Sequence, residues 1–413
     1  MAAGTPVVTV RHRIRADQLQ VRAPLPVDIY DADNRLLLRR GNIIASEAQL
    51  ERLISEGMFS DQPLPSRTRA GAAPATPAAC DTREDMLIVG PIARSTAKPK
   101  LRISVYAEVV AAAKMLEALL CTPESNPEFV ADIAELADTL RKGCALDPDA
   151  ALAHIMFARE VRYPIRQSLN VAIVTALLLE RTNNKSARTQ AAVCAALTAN
   201  LTIQAVQDVQ YRQQAMTPEE RQAISLHPDE GAEKLAALGV RDPVWLDIVR
   251  QHHEFIDGSG YPKKLAGTAV LREAQVITLA DRYCATVTER GYRPAVAPDV
   301  TMTQISTKSG SAIDPALIAE LVHWIGMYPP GTVVELLNRE VGVVTRRLRD
   351  PKHPVVYAVS GQNLRPFESP RKRLTSSQPQ FHIEGVFPRE TITFPVDPEM
   401  LWPRTVTEEA TVV

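Results

Sequence analysis

The sequence predicts a mainly α fold: a helical bundle preceded by a small α+β module and followed by a small β-meander. Three observations predict it. Ala and Leu dominate the middle of the 413-residue chain and aromatics make up only 5%, a composition that suits a helical core better than a β-sandwich. Helical periodicity begins at Ile103 and persists to about Ile325. After Pro329-Pro330-Gly331 the period changes to two, and Val333–Leu336, Val341–Val344 and Val355–Val359 read as strands.

Residues 1–61 form the first module. Pro26–Tyr30 and Leu36–Leu38 read as a hairpin joined by the turn-rich Asp31-Ala32-Asp33-Asn34. Ser46, with Gln49 three residues on, reads as a capping box opening a helix that Gly57 stops. No catalytic constellation lies there, and docking or dimerisation is the expected role. Residues 62–101 are rich in Pro, Ala, Ser, Thr and Gly. Their Ala70–Pro77 piece cannot build a core, so the stretch reads as a flexible linker.

The helical domain is expected over 102–327, with helices near 103–121, 126–144, 148–160, 163–182, 187–204, 217–226, 229–238, 242–255, 271–290 and 313–325. Thr217-Pro218-Glu219-Glu220 is the clearest start: Thr217 caps, Pro218 takes the first turn and Glu220 reaches back. Asp242-Pro243 opens the helix that delivers His252 and His253. A β-rich extension is expected over 328–384, and the Pro-rich 385–413 reads as a loosely ordered tail.

The length suffices for two or three domains. A net charge of −1 gives no sign of a nucleic-acid partner. The basic group Arg365, Arg371, Lys372 and Arg373 lies in a Pro/Ser-rich segment and reads as a solvated tail rather than a phosphate patch. The five cysteines, Cys80, Cys121, Cys144, Cys194 and Cys284, are scattered and form no C-x-x-C pair. That excludes a disulfide framework or a zinc-thiolate site and suits a reducing cytoplasm. Met1–Val10 shows no signal peptide. The longest apolar run, Val171–Leu179, is about half of what a bilayer requires. A soluble, cytoplasmic protein with no membrane span is therefore expected.

One stretch carries the chemical character: His252-His253-Glu254-Phe255-Ile256-Asp257-Gly258-Ser259-Gly260-Tyr261-Pro262. Adjacent histidines at a helix end can reach one metal cluster if the backbone turns just after them. Gly258 and Gly260 permit that turn and Pro262 fixes its exit. Amides of such a turn can hold a phosphate oxygen. A His-His pair alone is as readily a polar helix end. The isolated His154, His323 and His353 read as structural. Ser168, Ser225 and Ser259 belong to no Ser/His/Asp arrangement, and no Walker or dinucleotide glycine signature is present.

The stretch resembles the HHExxDGxGYP signature of HD-GYP domains, a branch of the HD superfamily of helical, metal-dependent phosphohydrolases. His252, His253, Glu254, Asp257, Gly258, Gly260, Tyr261 and Pro262 match its fixed positions. Thr217–Glu220 resembles the family's TPEE, His227-Pro228 its HP, and Ala280-Asp281-Arg282-Tyr283 its ADxY. Tyr328-Pro329-Pro330-Gly331 and Val341–Val344 resemble the tail that often follows. The resemblance covers about residues 103 to 345. It implies an HD-superfamily bundle holding two or three iron or manganese ions and hydrolysing cyclic di-GMP by two-metal phosphodiester cleavage.

The departures are equally specific. At the family's spacing, Thr198 stands where the name-giving His belongs and Ala199 where the Asp belongs. Leu201 takes the Gly position of HDxGK and Thr202 its Lys. Gln167 replaces the His of the HSxxVA element, and Tyr163 stands at a further acid position. The resemblance therefore leaves His227, His252, His253 and Asp281 as residual metal ligands, and no catalytic residue. Asp257, Gly258, Gly260, Tyr261 and Pro262 remain as a nucleotide, phosphate or partner-binding loop.

Without the bridging Asp, a dinuclear centre loses the hydroxide it would use as nucleophile. The histidines then surround an empty site or hold one divalent metal (Fe, Mn or Zn), three imidazoles being a known mononuclear set. The expected function is a non-catalytic or weakly catalytic regulator or sensor in bacterial cyclic di-GMP signalling. Its partner would be the nucleotide or another signalling protein, and homodimerisation is open. One alternative is an active phosphodiesterase with a rearranged site that recruits Asn200, Gln167, Glu254 or Asp257. Another is a scaffold that binds no nucleotide.

Overall fold

The structure is a computed structural model. It describes residues 101–407 apart from 182–186, 213–215 and 291–292, and, ahead of them, stretches between 9 and 60 together with 86–89. The chain divides into two compact units, Met1–Lys98 and Pro99–Val413.

In the first unit, β1 (Thr9–Arg13), β2 (Ile29–Tyr30), β3 (Leu36–Leu38), β4 (Phe59–Ser60) and β5 (Met86–Val89) form one sheet in the order β3-β2-β4-β1-β5. The expected hairpin is present, with Ile29 opposite Leu38. Buried Ile14, Leu19, Leu25, Val27, Ile29, Ile44 and Leu50 make its core. The Asp31–Asn34 turn, the Ser46/Gln49 capping box and Ala70–Pro77 lie outside the described residues. Met86–Val89, inside the expected linker, instead pairs antiparallel with β1.

The second unit begins with β6 (Leu101–Ile103) and the helices α1 (Val105–Cys121), α2 (Phe129–Leu146), α3 (Pro148–Phe157), α4 (Tyr163–Arg181), α5 (Ala187–Thr198) and α6 (Gln204–Arg212). They are followed by α7 (Pro218–Ala237), α8 (Pro243–Gln251), α9 (Arg272–Val287), α10 (Pro298–Lys308) and α11 (Pro315–Ile325). Every residue from Tyr163 to Leu179 is buried, so α4 is the axis around which the other helices pack. The caps read from sequence are formed: Thr217 and Glu220 make both bonds of a capping box, and Asp242 accepts from the Val244 amide.

Several boundaries differ from expectation. The helices expected at 217–226 and 229–238 are one helix running through Pro228. The proline removes a single amide donor, and tertiary packing keeps the helix continuous. The helix expected over 187–204 stops at Thr198, and Gln204–Arg212 starts anew. Pro298–Lys308, rich in β-branched residues that mask helical propensity, is a helix that periodicity does not reveal.

The meander is a five-stranded antiparallel sheet. It comprises β7 (Val333–Leu336), β8 (Val341–Arg346), β9 (Val355–Ser360), β10 (Pro366–Leu374) and β11 (Ile383–Val386), in the order β10-β9-β8-β7-β11. The basic segment is therefore an edge strand and not a solvated tail. Arg373 forms a two-pronged pair with Glu340 at 2.7 Å and 2.7 Å, and the Arg371 guanidinium lies over the Phe367 ring at 3.9 Å.

The described part of the C-terminal stretch, up to residue 407, is likewise packed. Trp402 is 1% exposed, stacks on Tyr106 at 5.6 Å and donates its indole N–H to the Thr345 carbonyl at 3.0 Å. Just after it, β12 (Thr405–Thr407) pairs with β6. One buried aromatic anchors a stretch whose composition reads as loose.

Candidate metal centre

Three histidines converge. One ligand nitrogen from each of His227, His252 and His253 lies within 4.8 Å of the others. His227 sits in the middle of α7. Because Pro228 has no amide hydrogen, it leaves the Ile224 carbonyl without its helical donor. That carbonyl accepts the Nδ1–H of His227 at 2.6 Å.

The α8 helix ends at Gln251, so His252 caps it. The Val249 carbonyl, one of the unpaired acceptors of a helix end, accepts the Nδ1–H of His252 at 2.6 Å. A carbonyl can only accept, so both Nδ1 atoms carry the proton and both Nε2 atoms present lone pairs. The two Nε2 atoms are 3.0 Å apart.

Burial acts on the same groups. His227 and His252 are buried and His253 is partly covered. Desolvation, with the neighbouring imidazoles, pushes His227 and His253 down to about 3 and His252 well below its ordinary value. The rings are therefore neutral, the form that ligates metals. Two opposed lone pairs at 3.0 Å in a dry site repel unless a cation lies between them. The donor set thus fits a divalent ion, with both tautomers fixed by backbone partners.

The loop after the histidines is built to brace them. A Cβ on Gly260 would fall 2.5 Å from the Phe255 nitrogen and 2.6 Å from both the Glu254 Cα and the His253 oxygen. Only glycine fits there. Gly258 has a φ of 77°, which favours glycine. Tyr261 stacks on the His253 ring at 4.8 Å, and Tyr261-Pro262 closes the turn.

Three of the amides expected to hold a phosphate oxygen are committed within the loop. Gly258 N–H donates to the Phe255 carbonyl, Ser259 N–H to Asp257 Oδ1 and Tyr261 N–H to the His253 carbonyl. Glu254, 1% exposed, accepts from the Lys263 and Leu265 amides at 2.6 Å and 3.0 Å. Asp257 also accepts from the Ser311 hydroxyl at 3.4 Å. Glu254 and Asp257 are thus loop-building residues, and their recruitment as ligands is not favoured.

The other half of the expected centre holds different chemistry. Thr198, fully buried, donates to the Cys194 carbonyl at 2.8 Å and accepts the Trp245 indole N–H at 3.0 Å. Ala199 is buried and Thr202 exposed. Asp281 Oδ1 accepts from the Gln167 amide nitrogen at 2.9 Å. Burial raises the Asp281 carboxyl, and the Gln167 hydrogen bond opposes that rise. Gln167 is thus the direct hydrogen-bond partner of this carboxyl, whose charge also acts on the Tyr261 phenol that stacks on His253. Gln167 Oε1 and Asn200 Oδ1 are buried with no hydrogen-bond partner.

Sequence reasoning missed Trp245, and no local signal marks it, because its partner lies 47 positions away. The role of Pro228 was readable, since a proline four residues after Ile224 necessarily frees that carbonyl.

Residues 154–317 match the family model described as HD domain. A cyclic di-GMP phosphodiesterase of Pseudomonas aeruginosa is 25% identical over 233 residues, covering 55% of this chain and 56% of that protein. A cyclic di-GMP phosphodiesterase of Vibrio cholerae is 36% identical over 109 residues, covering 25% of this chain and 22% of that protein. The response regulator RpfG of Xanthomonas campestris, also a cyclic di-GMP phosphodiesterase, is 32% identical over 109 residues, covering 26% and 29%. The chain thus spans only about half or less of these relatives.

The helical core and its histidine cluster are those of an HD domain. The complete His252–Pro262 signature and these relatives support an HD-GYP domain in this part of the chain. No helix among the described residues is long and apolar enough to cross a membrane.

Proposed function

We propose that the chain is a degenerate HD-GYP protein, a non-catalytic or weakly catalytic cytoplasmic regulator in bacterial cyclic di-GMP signalling. It would hold at most one divalent ion, of iron, manganese or zinc, on His227, His252 and His253. The observation that carries this reading is the Thr198–Trp245 hydrogen bond of 3.0 Å. The positions of the missing His-Asp pair are occupied by a satisfied hydroxyl and an alanine, neither of which bridges two ions. When bound, an ion supplies Lewis acidity toward a phosphate oxygen. The chain's own part is to keep two imidazoles neutral and aimed, through the Ile224 and Val249 carbonyls, and to set the His253 ring against Tyr261.

The test is hydrolysis of cyclic di-GMP by iron- or manganese-loaded protein. Turnover at background supports the reading. Turnover that disappears in His252→Ala refutes it.

A second reading has one observation in its favour. Gln167 Oε1 and Asn200 Oδ1 are buried acceptors without donors, and such oxygens can take a cation. An active phosphodiesterase with a rearranged site would use them. Metal content after purification separates the two: two ions per chain favour the rearranged enzyme, and one or none favours the regulator. Calorimetric titration with cyclic di-GMP tests the sensor role, since a scaffold that binds no nucleotide gives no heat.

A further inference from the structure

The first turn of α4 holds a buried cation. Arg166 is 5% exposed, and its guanidinium donates to no acceptor among the described residues. Leaving such a group unpaired is costly. Of its nitrogens only Nε is fully covered, so the two terminal nitrogens are the part left open. Helical side chains lean toward the N-terminus, which sets this fork at the positive end of the α4 dipole. No acid stands in that first turn. His154 and Tyr163, on which the Arg166 charge acts, bring no counter-charge. Burial lowers His154 to about 4 and raises the Tyr163 phenol to about 12, so both are neutral at pH 7.

Two more guanidiniums gather beside it, fixed by the carbonyls that end α3. Arg389 Nη1 donates to the Met156 carbonyl at 3.2 Å and to the Phe157 carbonyl, and its Cζ lies 4.1 Å from the centre of the Phe157 ring. Arg159 Nη1 donates to the Ala158 carbonyl at 2.6 Å. Neither guanidinium meets a carboxylate among the described residues. Desolvation, then the charges of Arg166 and Arg389, lower Arg159 to about 10, so the three cations stand within range of one another. The acids whose charges reach this group are Glu160 and Glu289. Both are exposed, and Glu160 accepts the Arg159 backbone amide at 2.9 Å.

We propose that this end of α4 is a phosphate-binding site, with Arg166 at its base and Arg159 at its mouth. Guanidinium forks pair with phosphate oxygens two at a time, and a tetrahedral group offers oxygens to more than one fork. The excess of positive charge selects a dianion, free phosphate or the terminal phosphate of a nucleotide. A carboxylate or a phosphodiester group brings one charge and leaves more of the repulsion standing. The site shares no residue with the histidine centre, needs no metal and is independent of the function proposed above.

The test is thermal unfolding and calorimetric titration of the full chain in EDTA, with inorganic phosphate, GMP, cyclic di-GMP and acetate. Phosphate and GMP should bind saturably and raise Tm, and acetate should do neither. GMP binding tighter than phosphate makes a nucleotide the source, and equal binding makes it the phosphate group alone. Arg166→Met should weaken phosphate about tenfold to a hundredfold, the loss of a charge-assisted fork. It should also raise Tm without phosphate, because a buried charge lacking a partner is gone. Arg159→Gln, at an exposed position, should weaken phosphate about tenfold with Tm unchanged, and it decides the matter if Arg166→Met does not fold. No saturation by phosphate or GMP up to about 10 mM overturns the proposal. So does a phosphate response unchanged in both variants, or acetate binding as tightly as phosphate. A lower Tm of Arg166→Met in phosphate-free buffer would show a guanidinium satisfied within the fold and equally overturn it. Cyclic di-GMP binding that needs Arg166, with no phosphate or GMP binding, would assign the arginines to the diester and sink the dianion site.

Discussion

Replacing Gly260 by alanine tests whether the His252–Pro262 loop is a brace. The new Cβ would meet three backbone atoms, Phe255 N at 2.5 Å, Glu254 Cα at 2.6 Å and His253 O at 2.6 Å. No flexible side chain is present to swing aside, so the backbone itself must retreat by about 1 Å to reach ordinary contact. Overpacking of this kind costs about 1–3 kcal/mol. In a unit of this size that lowers Tm by roughly 2–10 °C. One of the displaced atoms is the His253 carbonyl oxygen, so metal uptake should fall as well. The assay is thermal unfolding by circular dichroism with metal content measured in parallel. Gly385→Ala is the control, since nothing lies within 4 Å of its added Cβ. A Gly260→Ala protein with unchanged Tm and unchanged metal uptake would refute the reasoning.

Three further perturbations follow from contacts elsewhere. His154 is fully buried, its Nδ1 is 2.9 Å from Asn170 Oδ1, and burial lowers it from 6.5 to about 4. It is neutral in both states above pH 6.5; below that only the unfolded chain takes the proton. The stability it contributes is therefore lost as pH falls from 6.5 to about 4, by about 3 kcal/mol. His154→Gln should shrink the difference in urea midpoint between pH 7 and pH 4.5, and an equal difference in both proteins would sink the idea. Trp245→Phe leaves Thr198 Oγ1 without its donor and should cost about 1–3 kcal/mol, part of it recovered when Thr198→Val is added; strict additivity in that double-mutant cycle would argue against the bond. Glu254→Gln sets an amide N–H₂ against the Lys263 or Leu265 N–H, so hydrogen exchange at those two amides should quicken, whereas unchanged protection would show that the carboxylate does not hold the loop.

The readable parts of this chain are those whose causes are local. The capping box at Thr217 and the periodicity of 103–325 need only neighbours in sequence, and both appear as helices. The His252–Pro262 signature is local too, and the histidines converge. What was hidden depends on distant partners. Gln167 meets Asp281 across 114 positions, and Arg346 pairs with Asp147 across 199. The C-terminal stretch reads as loose by composition, yet one buried tryptophan anchors it. The basic segment reads as tail because its Pro and Ser residues outweigh, in a local window, the sheet edge that awaits it. The glycines of the signature were legible as a turn but not as a brace, because Gly260 is demanded by atoms five to seven residues behind it.

The two halves of the centre differ in electrostatic sign, and that bears on how many ions it takes. Around His227 and His252 the protein has turned every donor outward, to the Ile224 and Val249 carbonyls, leaving acceptors face to face at 3.0 Å. Around Thr198 it has done the reverse: the Trp245 indole points its N–H, the positive end of its dipole, at the hydroxyl. A cation is drawn to the first arrangement and opposed by the second. Among the described residues, a second ion would meet the orphaned oxygens of Gln167 and Asn200 and the Asp281 carboxylate that Gln167 holds. The two amide oxygens are neutral and weaker toward a divalent ion than the bridging carboxylate missing at Ala199. The proposed one-ion stoichiometry rests on this asymmetry, and a count of two would mean that these oxygens outweigh it.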